Sequence, residues 1–145
     1  MCAQQTTGPI RILIVEDNPA DVFLTREALN GQGLDLHIES LTDGELALSY
    51  LAREGEHPVA DIPDLIILDL NVPKIGGPEL LRFIRHTPEL CHVCVVILSS
   101  SPHDVIGDAA AQASCYIQKP ATLREFLAIG EKIIRVLDEC KAMGA

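Results

Sequence analysis

Short apolar runs alternate with amphipathic segments along the whole chain. The runs at residues 11–15, 65–68 and 93–98 are typical of strands that are buried on both faces. Alternating apolar positions at 34–38 and a short apolar pair at 116–117 predict two more strands. Each strand is followed by a stretch with helical spacing, so the pattern predicts five consecutive βα units.

The helical stretches carry recognisable start signals. Asn18 and Pro19 have the chemistry of an N-cap and a first helical position, which opens a helix that runs to about residue 30. The remaining helices are predicted after Asp43, over 79–86, over 104–113 and after Thr122. Phe23, Leu123 and Leu127 are expected to pack inward.

Strands joined by helical crossovers lie parallel, and right-handed crossovers place helices on both faces of the sheet. The predicted fold is therefore α/β, a doubly wound (βα)5 three-layer sandwich. In sheets of this kind, ligands bind beyond the carboxyl ends of the strands, where the strand order reverses.

Polar side chains stand where the predicted strands end. Glu16 and Asp17 follow the first strand, Asp69 the third, Ser99 the fourth and Lys119 the fifth. Because parallel strands end at the same edge, we expect these groups to lie together. Three neighbouring carboxylates resist ionisation, and a hard cation relieves that conflict.

Magnesium suits such a site, because it binds few carboxylates and keeps several waters. The predicted ligands are Asp17, Asp69, the backbone carbonyl of Asn71 and, through a water, Glu16. Asp69 is also the predicted nucleophile, which would accept a phosphoryl group as an aspartyl phosphate.

Two further groups complete the predicted chemistry. Lys119 would pair with a phosphate oxygen, and the Ser99 hydroxyl would donate a hydrogen bond to another. Phosphorylation adds roughly −1.5 to −2 charge, which biases a two-state element near the site.

Four motifs in order resemble the receiver domains of two-component response regulators, over about residues 10–140. They are the acid pair at 16–17, LDLNVP with Asp69, VILSS with Ser99, and YIQKP with Pro120. The resemblance implies a flavodoxin-like sheet order of 2-1-3-4-5, a sensor histidine kinase as phosphoryl donor, and a cis peptide bond before Pro120.

The resemblance also implies a switch and an output surface. Ser99 would move toward the phosphate, and Tyr116, at the aromatic switch position of the family, would move inward. The changed surface would comprise the fourth helix, the fifth strand and the last helix, which is also the candidate homodimer face.

Within the family, two features resemble small regulators that partner bacterial phytochromes. They are the long loop at 53–64 and the amino-acid sequences of the motifs around Asp69 and Lys119. A bacteriophytochrome is therefore a candidate kinase. Two features depart from the pattern: Gly76 stands where many receivers have an acid, and no Trp ends the last helix.

Composition narrows the function classes. A formal net charge of −10 disfavours direct binding to nucleic acid. The longest apolar run, 93–98, is far shorter than the roughly 18 residues of a membrane span. Five cysteines without export features predict reduced thiols in a cytoplasmic protein.

The expected organisation is an N-terminal tail (1–9), a receiver domain (10–141) and a C-terminal tail (142–145).

Two alternative functions are weaker. A haloacid-dehalogenase-like phosphohydrolase would carry a second Asp two residues after its nucleophile, where this chain has Asn71. A pseudo-receiver, acting only as an interaction module, would lack one of Asp17, Asp69 or Lys119. We therefore expect a phosphoacceptor with at most slow autodephosphorylation, and no enzyme.

The CxxC at 91–94 leads into a strand, unlike a redox CxxC, so it predicts neither metal binding nor redox chemistry.

Overall fold

The computed structural model describes residues 8–52, 62–100 and 111–144. Its five strands form one parallel sheet in the order β2-β1-β3-β4-β5, which confirms the predicted order. The strands are β1 (Ile10–Val15), β2 (Leu36–Leu41), β3 (Leu65–Leu68), β4 (Cys94–Ser99) and β5 (Cys115–Gln118).

The described helices flank this sheet: α1 (Pro19–Asn30), α2 (Gly44–Leu51), α3 (Gly77–His86) and α4 (Leu123–Gly144). As predicted, the side chain of Asn18 caps α1 by accepting from Ala20 N at 2.9 Å. Of the helix predicted over 104–113, residues 104–110 lie outside the described residues, and 111–112 are helical. Most of the predicted loop at 53–64 also lies outside them.

The sheet has an apolar core on each face. In β1, Leu13 and Val15 pack on the side of α2 and α3. Ile12 and Ile14 pack on the opposite side, against α1 and α4. The central strands are thus covered on both faces, as their continuous apolar sequence predicts. This packing fixes where the strands end and hence where their polar ends meet.

Some residues predicted to pack inward are exposed. Leu123 is 61% and Phe23 60% exposed, and Leu127 is also exposed. The helix α4 buries a narrower stripe at steps of three and four residues, formed by Phe126, Ile129, Ile133 and Leu137. Apolar positions just outside that stripe face solvent. In the described part of the chain, no helix has both the length and the apolar character needed to cross a membrane.

The prediction of a cis peptide bond before Pro120 is wrong, because the Lys119–Pro120 bond is trans. The two isomers of an X–Pro bond differ by only about 0.5–1 kcal/mol, with trans favoured, so the local sequence does not choose between them. In the trans geometry, Lys119 N donates to Ser99 O at 2.8 Å. Thr122 still caps α4, since its Oγ1 accepts from Glu125 N at 3.2 Å.

The contact between α1 and α4 depends on Gly130. A Cβ atom at this position would overlap the carbonyl group of Ala28. We expect Gly130→Ala to lower the free energy of unfolding by roughly 1–3 kcal/mol, as overpacking does in well-packed interiors. Urea denaturation of the purified chain measures this loss.

Gly31→Ala is the matched control for that experiment. Gly31 has a right-handed helical φ of −68°, and a Cβ there would meet its nearest neighbour at an ordinary 3.5 Å. This variant should unfold at nearly the parent's urea concentration. Equal destabilisation by both substitutions would contradict the close-packing argument.

Candidate functional site

Three carboxylates meet at the carboxyl edge of the sheet. Glu16 and Asp17 follow β1, and Asp69 follows β3. One carboxylate oxygen from each of the three residues lies within 4.8 Å of the other two. The two strands are direct neighbours, and Asp69 N continues their pairing by donating to Val15 O at 3.0 Å. The structure thus brings together the acids that the sequence predicted would meet.

Lys119 enters this group of acids from the end of β5. Its Nζ lies 2.7 Å from Glu16 Oε1 and 3.3 Å from Asp69 Oδ2. A third contact joins Nζ to Asp21 Oδ2 at 2.7 Å. One ammonium group therefore bridges carboxylates from three separate elements of the fold.

Asp21 is the site residue that the sequence reasoning missed. That reasoning considered strand ends, whereas Asp21 lies in the first turn of α1. The helix starts immediately after the acid pair, so its first turn stays above the same edge. An acid four residues after Asp17, in a first helical turn, was the signal that could have identified it.

The three carboxylates differ in their exposure to solvent. Glu16 and Asp69 are 4% and 6% exposed, whereas Asp17 is exposed to solvent. Backbone N–H groups hold both buried carboxylates: Asn18 N donates to Glu16 Oε2, and Asn71 N donates to Asp69 Oδ1, each at 3.2 Å. The buried pair is oriented by the backbone, and the exposed acid opens the site to solvent.

The electrostatics of the site are dominated by burial. The pKa of Glu16 is raised to about 7, mainly by burial; the hydrogen bond from Lys119 offsets part of the rise, and the charge of Asp69 adds to it. For Lys119, burial alone would lower the pKa. The hydrogen bonds to Asp21 and Glu16 outweigh it, so the net pKa of Lys119 is raised and its charge is permanent.

The other predicted residues lie close by in the fold. Ser99 ends β4 and is fully buried. Tyr116 pairs with Ile97 in the β4–β5 ladder, is half-buried, and packs against the core on the α2 and α3 side. The proposed roles of these two side chains, and of the Asn71 carbonyl as a ligand, remain predictions.

The donor set fits a hard divalent cation. The carboxylates of Glu16, Asp21 and Asp69 contact one ammonium group, and Asp17 groups with Glu16 and Asp69. Oxygen donors with excess negative charge are what Mg²⁺ and similar ions prefer in proteins. The exposed position of Asp17 leaves room for metal-bound waters.

Known proteins share both this fold and this sequence pattern. Residues 12–130 match the response regulator receiver domain, so the chain belongs to that family. Among curated relatives, response regulator Rcp1 of Synechocystis sp. is 36% identical over 125 residues, which cover 85% of each chain.

Solved structures place the chain near the phytochrome response regulators. The phosphorylated cyanobacterial phytochrome response regulator RcpA has 40% identity and a TM-score of 0.81, over 87% of this chain and 91% of its own. The Mn²⁺-bound form of Rcp1 has 35% identity and a TM-score of 0.80, over 86% and 91%. The bacteriophytochrome response regulator RtBRR has 34% identity and a TM-score of 0.74, over 89% and 78%.

The protein is therefore a receiver domain of two-component signalling that resembles phytochrome response regulators. Receiver-domain response regulators are signalling proteins.

The raised pKa of Glu16 predicts a pH-dependent stability. The folded state keeps this proton up to about pH 7, whereas the unfolded chain releases it near the ordinary value of 4.5. The folded state thus binds more protons in this window, so the free energy of unfolding should fall as pH rises from 4.5 to 7. Urea denaturation in a chelating, metal-free buffer measures this slope.

The Glu16→Gln variant isolates that group, because it keeps the size of the side chain and cannot titrate. Its free energy of unfolding should fall less steeply than the parent's over the same pH window. Parallel curves for the two proteins would contradict the assigned pKa.

Proposed function

We propose that this receiver domain accepts a phosphoryl group on Asp69 and signals by changing its contacts with a partner protein. The arrangement of Asp69 supports this most strongly. Its carboxylate is buried, is oriented by Asn71 N, and lies 3.3 Å from Lys119 Nζ. A reactive carboxylate needs this combination of fixed position and nearby positive charge.

The transfer follows from this geometry. A carboxylate oxygen of Asp69 attacks the phosphorus of a phosphohistidine on the donor kinase, and the phosphorus–nitrogen bond to that histidine breaks. Lys119, whose charge is permanent, pairs with a phosphate oxygen of the product. The hydroxyl of Ser99 donates to another oxygen. Asn71 offers no second carboxylate for rapid hydrolysis, so the acyl phosphate persists long enough to signal.

Mg²⁺ is the metal that we propose for this site. Asp17, Asp69 and the carbonyl of Asn71 would bind it directly. Both oxygens of Glu16 already accept hydrogen bonds, one from Lys119 and one from Asn18 N. Glu16 therefore suits contact through a water. When bound, Mg²⁺ would neutralise charge on the transferring group and align it with the attacking oxygen.

The proposed switch uses β4 and β5. Ser99 is fully buried, so a shift of its side chain toward the phosphate changes the packing around it. Tyr116 pairs with Ile97, two residues before Ser99, and is half-buried, so an inward movement would bury more of its side chain. The affected surface comprises the predicted helix at 104–113, β5 and α4, which is our candidate face for a partner or a second copy.

We propose a sensor histidine kinase as the phosphoryl donor, with a bacteriophytochrome as the candidate. The likeness to the phytochrome response regulators RcpA and RtBRR supports this choice. The receiver domain in this proposal spans residues 10–141, with residues 1–9 and 142–145 as tails, although α4 itself continues to Gly144.

The acceptor assignment is tested by intact-mass analysis after incubation with acetyl phosphate and Mg²⁺. The parent should gain one phosphoryl group, because Asp69 is oriented and paired. Asp69→Asn should gain none, and a chelator in place of Mg²⁺ should abolish labelling of the parent.

Asp64→Asn is the matched control, because Asp64 lies at the start of β3, at the opposite edge, where its carboxylate accepts from Arg11 N at 2.9 Å. This variant should be labelled like the parent. Equal labelling of the parent and Asp69→Asn would overturn the assignment.

The role of Lys119 is tested by separating phosphorylation from switching. Lys119→Ala should still accept a phosphoryl group but should not transmit the change, since no ammonium group draws β5 toward the phosphate. Backbone amide NMR shifts of β5 with and without phosphorylation measure this. Lys132→Ala, which removes an exposed lysine of α4, should behave like the parent. Equal phosphorylation-induced shifts in Lys119→Ala and the parent would contradict the role.

A further inference from the structure

Two thiols from distant parts of the chain meet at the edge of the sheet opposite the carboxylates. Cys94 is the first residue of β4, and Cys140 lies near the end of α4. Their sulfur atoms are 2.7 Å apart. Cys94 Sγ also lies 4.0 Å from the carbonyl oxygen of Val136, one turn before Cys140. The last turns of α4 thus sit directly on the first residue of the strand.

We propose that Cys94 and Cys140 form a reversible disulfide under oxidising conditions. The bond length of a disulfide is about 2.05 Å. The two sulfur atoms, 2.7 Å apart, therefore need to approach by less than about 1 Å. This inference does not rest on the proposed function of the carboxylate site.

The surroundings assign different roles to the two thiols. Cys94 is 2% exposed, and burial raises its pKa to about 12, so it stays protonated and reacts second. Cys140 is half-buried and lines two clefts of about 340 and 440 Å³. A small oxidant can reach Cys140 through either cleft.

The positive charge of Arg85 lies near both thiols of the pair. Arg85 lines the same cleft as Cys140. Hydrogen bonds to the carbonyl oxygens of Cys91 and Val93, at 3.1 and 2.7 Å, hold its guanidinium in place.

The reaction is balanced with a peroxide as oxidant. The thiol of Cys140 gives up its proton and its sulfur attacks a peroxide oxygen. The O–O bond breaks, a sulfenic acid forms, and the leaving hydroxide takes up the thiol proton to give one water. The sulfur of Cys94 then attacks the sulfenic sulfur, the S–O bond breaks, and the thiol proton leaves with the hydroxyl group as a second water. Two thiols lose two electrons and two protons, and a dithiol reductant reverses the change.

The CxxC pair is not the pair that the fold assembles. The thiol of Cys91 points to the carbonyl oxygen of Pro88 at 3.4 Å, whereas Cys94 contacts Cys140. Cys115 lies in β5, where its thiol is 3.8 Å from the carbonyl oxygen of Tyr116. Cys91 and Cys115 therefore serve as matched controls.

The disulfide would tie the C-terminal end of α4 to β4. Because it closes a long loop, it removes conformational freedom from the unfolded chain. We expect the oxidised protein to melt about 10 °C above the reduced protein. The carboxylate site lies at the other end of β4, so Asp69→Asn should oxidise like the parent.

The test uses the full chain, reduced with a dithiol and then treated with hydrogen peroxide. Intact mass should fall by two hydrogen atoms, and non-reducing peptide mapping should link Cys94 to Cys140. Cys140→Ser should form no such link. In Cys94→Ala, Cys140 should stop at a sulfenic acid that a dimedone probe traps. Cys91→Ser and Cys115→Ser should form the link normally.

Three outcomes would overturn the proposal. Mapping could link a different pair of cysteines, the parent could accumulate oxygen adducts without losing hydrogen, or Cys140→Ser could lose hydrogen as the parent does. Because Cys140 is partly exposed, Cys140→Ser should fold even if Cys94→Ala does not, so the proposal can be tested with that variant alone.

Discussion

The ammonium group of Lys119 is the interaction on which the carboxylate edge depends. Glu16 and Asp69 are buried side by side, and Asp21 adds a third charge. Buried like charges repel one another, and unpaired buried charges cost several kcal/mol each. A single cation between them lets β1, β3 and α1 meet at one point. Repulsion among the carboxylates is reduced further, because the raised pKa of Glu16 allows that group to hold a proton.

The two ends of the sheet differ in their chemistry. At one end of β4, the carbonyl oxygen of Ser99 accepts from Lys119 N, and the side chain of Lys119 contacts the acids. At the other end, Cys94 meets Cys140. All six residues of β4 are buried, so the strand is held rigidly between the helices on both faces. At roughly 3.3 Å per residue, the two ends lie about 16 Å apart. Phosphoryl and thiol chemistry can therefore proceed without direct contact.

Close backbone packing explains why the departure at Gly76 does not disturb the fold. Gly76 caps α3 without a side-chain hydrogen bond, yet α3 begins at the next residue. A Cβ at Gly77 would collide with Leu70, so this glycine lets the helix start directly beside the loop that carries Asn71. Pro78 supports the same start, because its fixed φ suits a first helical turn. The start of α3 is thus set by packing against the site loop.

The sequence by itself determined the strands, their parallel direction and the edge at which Asp17 and Asp69 meet, because burial on both faces leaves a continuous apolar pattern. The order of the strands followed from the resemblance to receiver domains. Only the tertiary structure decided the contact of Asp21 with Lys119, the trans bond before Pro120 and the pairing of Cys94 with Cys140. The two side-chain contacts depend on the angle and depth at which helices pack on the sheet. Local periodicity shows which face of a helix is buried, but it carries no information about those distances.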